Sequence, residues 1–307
     1  MDLSVIICTY NRSQSLSNTL NSFQSRDLPK NIQWEIIVVD NNSTDDTKKV
    51  TEEFIFCSNL IVKYVKEENQ GHSYARNRGI KEASGEFVCF TDDDVLVDKS
   101  WLNELLKTFN EVPAECVGGK ILPQWPDRKP RWLKKELFGF LALLDYGNEL
   151  IVFREFTKPV LLFGANMAFK KSIFDRIGFF DTNLGRKGTI VFGGDDIDIQ
   201  RRIINEGGKI IYQPKAAIKH VISSERLKKN YFRRLHYFEG VTNGRLYDNA
   251  IGRHFCGIPF FIFFQFIRSI FRYLKNPTLR MQMNIWWFLG FMKGRVFEYK
   301  KGLASPI

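Results

Sequence analysis

Three consecutive carboxylates, Asp92, Asp93 and Asp94, close an apolar run over Glu86–Phe90, with Thr91 as the joint. Adjacent like charges repel, and an uncompensated buried one costs roughly several kcal/mol. A polar turn, a helix N-cap or a bound cation each relieves that cost. Of the three, the cation would do chemistry, and carboxylate oxygens suit a divalent one. A second acidic cluster, Asp195, Asp196 and Asp198, follows Gly193-Gly194. Glycines let the backbone turn sharply into a helix, and a helix N-terminus stabilises carboxylates. These three read either as caps or as a general base held ionised. A lone His220 lies in the strand-like run Ala217–Val221.

Hydrophobic patterning supplies the elements that position these groups. Leu3–Cys8, Trp34–Val39 and Leu60–Val65 are short runs that read as strands one to three, and Glu86–Phe90 is the fourth. Between them, Ser15–Ser25, a segment capped by Ser43 or Thr44 and ending near Phe56, and a segment ending at Ala83 read as helices. Such alternation predicts a parallel sheet with right-handed crossovers. Ligands bind such sheets at the carboxyl ends of the strands. Three polar clusters sit there: Thr9-Tyr10-Asn11-Arg12, Asp40–Asp45 and Asp92–Asp94. A helix from Trp101 follows. Glu115–Leu122 reads as a strand, Pro123–Trp132 as a Pro- and Trp-rich loop containing Trp125, and Leu133–Leu144 as a helix. Gly164–Phe169 reads as a strand entering the site, followed by helices over Lys170–Ile177 and Ile199–Glu206. Lys209–Gln213 and Ala217–Val221 read as two short strands.

No glycine-rich G-x-G-x-x-G follows strand one, which argues against a nicotinamide or flavin enzyme. The charge of a diphosphate must then be met by other means, and a metal on the Asp triplet would meet it. The five cysteines are scattered and no C-x-x-C occurs, so buried thiols are expected rather than a disulfide frame. Leu3–Cys8 is already a strand with no basic segment before it, so no signal peptide is expected.

The net charge of +11 is uneven. Residues 1–220 balance at 30 basic and 30 acidic, whereas 221–307 hold 15 and 4, with 19 of the 44 aromatics. A basic, aromatic and apolar tail points to an anionic surface, membrane lipid before nucleic acid. Phe255–Phe271 and Ile285–Met292 are too interrupted or too short to span a bilayer. In the first, Phe260, Phe263, Phe264, Ile267, Phe271 and Leu274 share one helical face, while Gln265, Arg268 and Arg272 share another. That is the pattern of an interfacial helix; core packing, a dimer contact and a hairpin dipping into the bilayer are the alternatives.

Val5–Arg12, Ile37–Asp45, Asn69-x-Gly-x-Ser-x-Ala-Arg-Asn-x-Gly79, Phe90–Asp94 and Gly194–Asp198 occur together and in order. The set resembles the family 2 glycosyltransferases of the nucleotide-diphospho-sugar transferase (GT-A) fold, over roughly residues 1–225. The resemblance implies an α/β protein with a mainly parallel central sheet flanked by helices, and the composition of the tail adds a helical, basic and aromatic-rich C-terminal appendage. Together they divide the chain into a nucleotide-binding half over 1–110, an acceptor-side half over 111–225 and a tail over 226–307.

The same resemblance implies inverting transfer of a sugar from a nucleotide diphosphate, UDP favoured, to an acceptor hydroxyl. Thr9, Asn11, Arg12, Asp40, Arg76 and Asp92 would lie along the nucleotide, with Asp40 accepting from an imide N–H. Asp94, Asp92 and His220 would hold Mn2+ or Mg2+. Asp196 matches the family's catalytic base, and Asp195 stands where the family has Glu, which leaves open which carboxylate is the base. Gly164, Ala165, Asn166, Trp125 and Asp198 fall on the acceptor side. Asp93 is expected to tolerate substitution best of the triplet. The Q-x-x-R-W motif of processive synthases is absent after Gln200, which favours single addition. The implied setting is surface polysaccharide or glycolipid synthesis on a sugar or lipid-linked acceptor, in the cytoplasm and peripheral at the inner membrane face, with a homodimer possible and no nucleic acid. A non-catalytic nucleotide-sugar-binding scaffold is the rival reading.

Overall fold

The computed structural model describes residues 1–25, 27–29, 31–158, 160–186, 194–247 and 254–304. Leu3–Thr9 (β1), Ser13–Ser22 (α1), Trp34–Asp40 (β2), Thr47–Cys57 (α2), Val62–Lys66 (β3), His72–Glu82 (α3) and Phe87–Asp92 (β4) alternate. The four strands are parallel, in the order β3-β2-β1-β4. β1, β2 and β4 are covered on both faces, which is why they read as near-continuous apolar runs. Thr9 registers with Asp40 and Cys8 with Asp92. Parallel strands share a direction, so the polar clusters after β1, β2 and β4 emerge on one edge, as expected.

The remaining elements complete a mixed sheet. They are Val95–Val97 (β5), Trp101–Glu111 (α4), Cys116–Gln124 (β6), Ile151–Phe153 (β7), Met167–Lys170 (β8), Ile173–Ile177 (α5), Asp195–Asn205 (α6) and Ile210–Val221 (β9). β8 lies antiparallel between β4 and β6, β6 runs parallel to β9, and β5 and β7 pair antiparallel with β9. Several local expectations need correction. The two short strands over 209–221 are one strand, β9, whose pairing with β6 shifts register between Gly119 and Ile121. The strand expected from Gly164 starts at Met167, after a 3-10 turn over Gly164–Asn166. The helix expected over Leu133–Leu144 is a 3-10 segment, Lys135–Leu141. The second helix begins at Thr47 and is not capped by Ser43 or Thr44. Its Thr47 N–H donates to Asp45, while the Ser43 N–H donates to Asp40. Short acidic side chains make such local turns in competition with the helix. The helix at the second acidic cluster starts at Asp195 rather than Ile199; Gly193 lies outside the described residues.

The described chain falls into two compact units. One holds Met1–Arg128 with the described residues of 141–222; the other holds Lys129–Phe140 and the described residues from 223 onward. The second unit contains Lys229–Leu246 (α7), Phe260–Lys275 (α8) and Leu279–Ala304 (α9). α7 and α9 each carry a Gly-x-x-x-Gly pair, Gly240/Gly244 and Gly290/Gly294. A Cβ at Gly240 would fall 2.1 Å from the Trp287 carbonyl oxygen, and one at Gly290 2.0 Å from that of Tyr237. The backbones therefore touch, as small-residue pairs allow. Buried Arg295 donates to the carbonyls of Tyr247, Gly244 and Gly257. It thereby satisfies acceptors that the end of α7 leaves open. Among the described residues, no helix is long and apolar enough to cross a membrane.

Candidate active site

Asp92 is the last residue of β4, and Asp94 sits two residues on, where the chain turns into β5. β5 pairs with β9 so that Val95 faces His220. A strand pairing thus carries a histidine distant in sequence to the Asp triplet. One ligand atom from each of Asp92, Asp94 and His220 lies within 4.8 Å of the others. His220 Nδ1 is 2.8 Å from the Leu141 carbonyl oxygen. A carbonyl only accepts, so Nδ1 carries the hydrogen and Nε2 faces the carboxylates, 3.1 Å from Asp94 Oδ1. This is the outer-shell bond that orients a metal-ligating imidazole. Two carboxylates and an imidazole fit a divalent cation.

Asp93 is engaged on several sides, which bears on the expectation that it tolerates substitution best of the triplet. It is 5 % exposed. The Thr9 hydroxyl donates to Oδ2 at 2.8 Å, and Arg12 Nη1 bridges Asp93 Oδ1 (3.0 Å) and Asp94 Oδ2 (2.9 Å). Its carbonyl accepts from Thr19 of α1. Burial pushes its pKa up to about 6, against the pull of Arg12. Asp93 is the tie between β1, α1 and the turn.

The expected nucleotide-side residues border the same edge, several with polar atoms already engaged. Asn11 adopts a left-handed backbone, φ 51°, and its side-chain oxygen accepts from the Thr44 N–H. Asp40 is buried and accepts from Ser43 N–H and from the Tyr64 hydroxyl at 2.7 Å. Each of its oxygens keeps a further lone pair. Asn41, which the sequence did not single out, donates to the carbonyls of Glu67 and Asn69 and accepts from Gly71 N–H. It fastens the loop that opens α3.

Asp195 and Asp196 open α6, and both meet Arg76 of α3. Arg76 Nη1 donates to Asp195 Oδ2 at 2.7 Å and to Asp196 Oδ1. The guanidinium, 2 % exposed, lies over the rings of Phe90 and Phe180 at 5.7 and 5.1 Å. Burial opposes its charge, but Asp196, Asp195 and Asp92 outweigh that and raise its pKa. Asp92 within that field electrically links the two acidic clusters.

The remaining oxygen of Asp196 accepts from Gly164 N–H at 2.8 Å. A Cβ at Gly164 would fall 1.8 Å from Arg76 Nη2 and 2.6 Å from Asp196 Oδ1, so any side chain there must displace the Arg76–Asp196 pair. Gln200 holds the segment leading into Gly164 in place through both backbone groups of Leu162. The two carboxylates are driven apart in acidity. Burial disfavours ionisation of Asp195, but Arg76 and His72 outweigh it and hold its pKa low; His72 Nδ1 is 3.4 Å away. Burial and the neighbouring Asp195 charge raise Asp196 despite Arg76. Its side chain is 21 % exposed, that of Asp195 8 %.

The other acceptor-side residues do not join this cluster. Asp198 pairs with Arg202 at 2.8 Å, and Arg202 caps α5 through the carbonyls of Ile177, Gly178 and Phe179. Asn166 is fully buried, its amide committed to Trp101, Lys120 and Ala216. Ala165 is buried, and half-buried Trp125 follows β6, whose Pro123 registers with His220.

A sequence profile of the family described as Glycosyl transferase family 2 matches residues 4–178. Over its whole length the chain is 25 % identical to a glucosyl-dolichyl phosphate glucuronosyltransferase of Haloferax volcanii, covering 97 % of it. Over 61 % of the chain it is 34 % identical to a GalNAc(5)-diNAcBac-PP-undecaprenol beta-1,3-glucosyltransferase of Campylobacter jejuni, covering 58 % of that protein. A solved structure with the same fold is the mannosyltransferase PcManGT of Pyrobaculum calidifontis in complex with GDP-Man and Mn2+. Its TM-score is 0.56 at 18 % identity, over 99 % of this chain and 76 % of that one.

Proposed function

The chain belongs to glycosyl transferase family 2, an enzyme family, and on that premise we propose that it transfers a sugar, with inversion, from a nucleoside diphosphate to an acceptor hydroxyl in a metal-dependent reaction. The observation that carries the reading is the grouping of Asp92, Asp94 and His220 on the strand edge that also presents Asp40. Asp94, Asp92 and His220 would hold the cation. The imidazole in that set favours Mn2+ over Mg2+, which prefers oxygen alone. When bound, the metal neutralises the leaving diphosphate as a Lewis acid. Asp40 accepts from the base, and the imide N–H of uracil supplies a donor; UDP is the first choice on that ground. Arg12, Asn11 and Thr9 shape the floor beneath the nucleotide.

Asp196 serves as the general base. Environments that push two carboxylates apart in pKa assign their roles, and the raised, partly exposed member is the one suited to take a proton near neutrality. The acceptor hydroxyl gives its proton to Asp196 as its oxygen bonds to the anomeric carbon. The bond to the diphosphate breaks on the opposite face. Asp195 stays ionised and holds Arg76. The acceptor is lipid-linked, following the dolichyl- and undecaprenol-linked relatives. The enzyme then works peripherally at the inner face of the cell membrane, in glycolipid or surface polysaccharide synthesis.

Calorimetry with UDP and Mn2+, together with UDP release from UDP-sugars, tests this. Asp94→Asn is expected to lose the metal-dependent part of UDP binding. Asp196→Asn is expected to keep UDP binding and lose turnover by roughly 10²–10⁴-fold. If no nucleoside diphosphate binds in the presence of Mn2+, the assignment fails.

A further inference from the structure

Around α8, side chains sort into three arcs. Ile262 and Ser269 are buried, and Ile262 packs with Ile258 and Phe291 of the second unit's own core. Phe260, Phe264, Ile267, Phe271 and Leu274 recur every three or four residues and stay exposed, Phe264 and Leu274 at 70 % each. One helical edge further round lie Arg268 and Arg272. The core therefore takes up only part of the apolar face, and the rest is presented outward with arginines beside it.

Those two arginines line a groove of about 370 Å³ between α8 and α9, together with Gln265, Asn284 and Trp287. They stand one turn apart and repel each other. No carboxylate among the described residues comes within ion-pairing distance of either. Residues 249–297 carry seven Lys and Arg and no Asp or Glu, so that whole stretch offers no internal counter-charge. Two guanidinium forks with amide groups alongside match a phosphate. An exposed apolar stripe next to them matches the chains attached to it. A second copy of the protein fits less well, because a two-fold contact through α8 sets the same stripe against itself and brings like-charged arginines together.

We propose that the α8–α9 groove binds the phosphate of an anionic bilayer lipid, with the exposed stripe of α8 lying among the lipid chains. This deepens the membrane-surface reading above and is independent of the metal–diphosphate chemistry in the first unit.

Vesicle flotation of the full chain tests it. The vesicles are phosphatidylcholine alone or phosphatidylcholine with phosphatidic acid, and UDP binding with Mn2+ is measured in parallel as a control on the first unit. Wild type is expected to float with the acidic vesicles only. Arg268→Gln with Arg272→Gln is expected to weaken that binding roughly 30-fold, and Phe264→Ser with Phe271→Ser to abolish it. Both pairs are solvent-exposed, so UDP binding should stay at the wild-type level in each. Lys275→Gln with Arg280→Gln removes the same charge outside the groove and is expected to cost no more than a few-fold. Equal losses for the two charge pairs would reduce the groove to diffuse attraction and overturn the proposal. So would tight calorimetric binding of glycerol phosphate without lipid, or failure to float with intact UDP binding. Loss of UDP binding in the wild type would instead overturn the transferase reading.

Discussion

Arg76→Gln removes the one cation that, among the described residues, touches both Asp195 and Asp196. Two carboxylates then share a largely buried site in which Asp195 keeps His72 and Asp196 loses its ion-pair partner. Breaking a buried pair from one side costs about 3–5 kcal/mol. The lower end applies, because Asp196 is 21 % exposed and relieves the repulsion by binding a proton. At about 2 °C per kcal/mol for a unit of this size, Tm should fall by roughly 6 °C near neutral pH. The pH dependence follows from the sign of the shift. Asp196 already titrates above the ordinary carboxylate range in the folded state. Loss of Arg76 raises it further, so the added penalty is full at high pH and fades as pH drops through the new value. Differential scanning fluorimetry should therefore show the gap between variant and wild type narrowing as pH falls. UDP release against pH gives the second readout. A general base must be ionised, so the acid limb of the rate profile should move to higher pH. Arg76→Lys keeps the charge and should fall between. A Tm gap constant with pH, together with an unmoved acid limb, would refute the idea that Arg76 sets the acidity of the pair.

Other outcomes follow from the same geometry. His220→Asn should weaken Mn2+ binding by roughly 10–100-fold and narrow the preference for Mn2+ over Mg2+, as read by calorimetry. Gly164→Ala forces a methyl against Arg76 and Asp196; turnover should drop sharply, with about 1–3 kcal/mol lost in denaturant unfolding. Asp93→Ala strands the Thr9 hydroxyl and should cost about 1–3 kcal/mol, and a variant as stable as wild type would uphold the expectation of tolerance. Gly290→Val should separate α7 from α9 and lower the cooperativity of unfolding; an unchanged melt would show that the helices do not touch there.

Much of the first half was legible because parallel strands advertise themselves. Strands covered on both faces are apolar throughout, and the polar groups gather where the chain leaves the sheet, so Thr9, Asp40 and Asp92 stood out before any contact was known. The second half was harder to read. β8 and β9 pair with partners far away in sequence, and no periodicity says that Val95 will face His220 or that two short apolar runs form one strand. Glycines misled for a similar reason. Gly164 looked like the start of a strand, yet it is glycine because Arg76 and Asp196 occupy the space a Cβ would need. The four glycines of α7 and α9 mark a close helix crossing.

The sequence by itself determined the alternating first half of the sheet, the family and the acidic residues from which a site is built, since these depend on local pattern and residue type. Tertiary structure decided the surroundings that each of those residues meets. It buried Asp93 under Thr9 and Arg12 while leaving Asp92 and Asp94 beside His220. It also set Asp195 beside His72 and Arg76 while burying Asp196 next to the Asp195 charge, so that two adjacent, identical side chains are pushed apart in acidity. Charge and burial are properties of surroundings, and those surroundings come from strands and helices that meet only on folding.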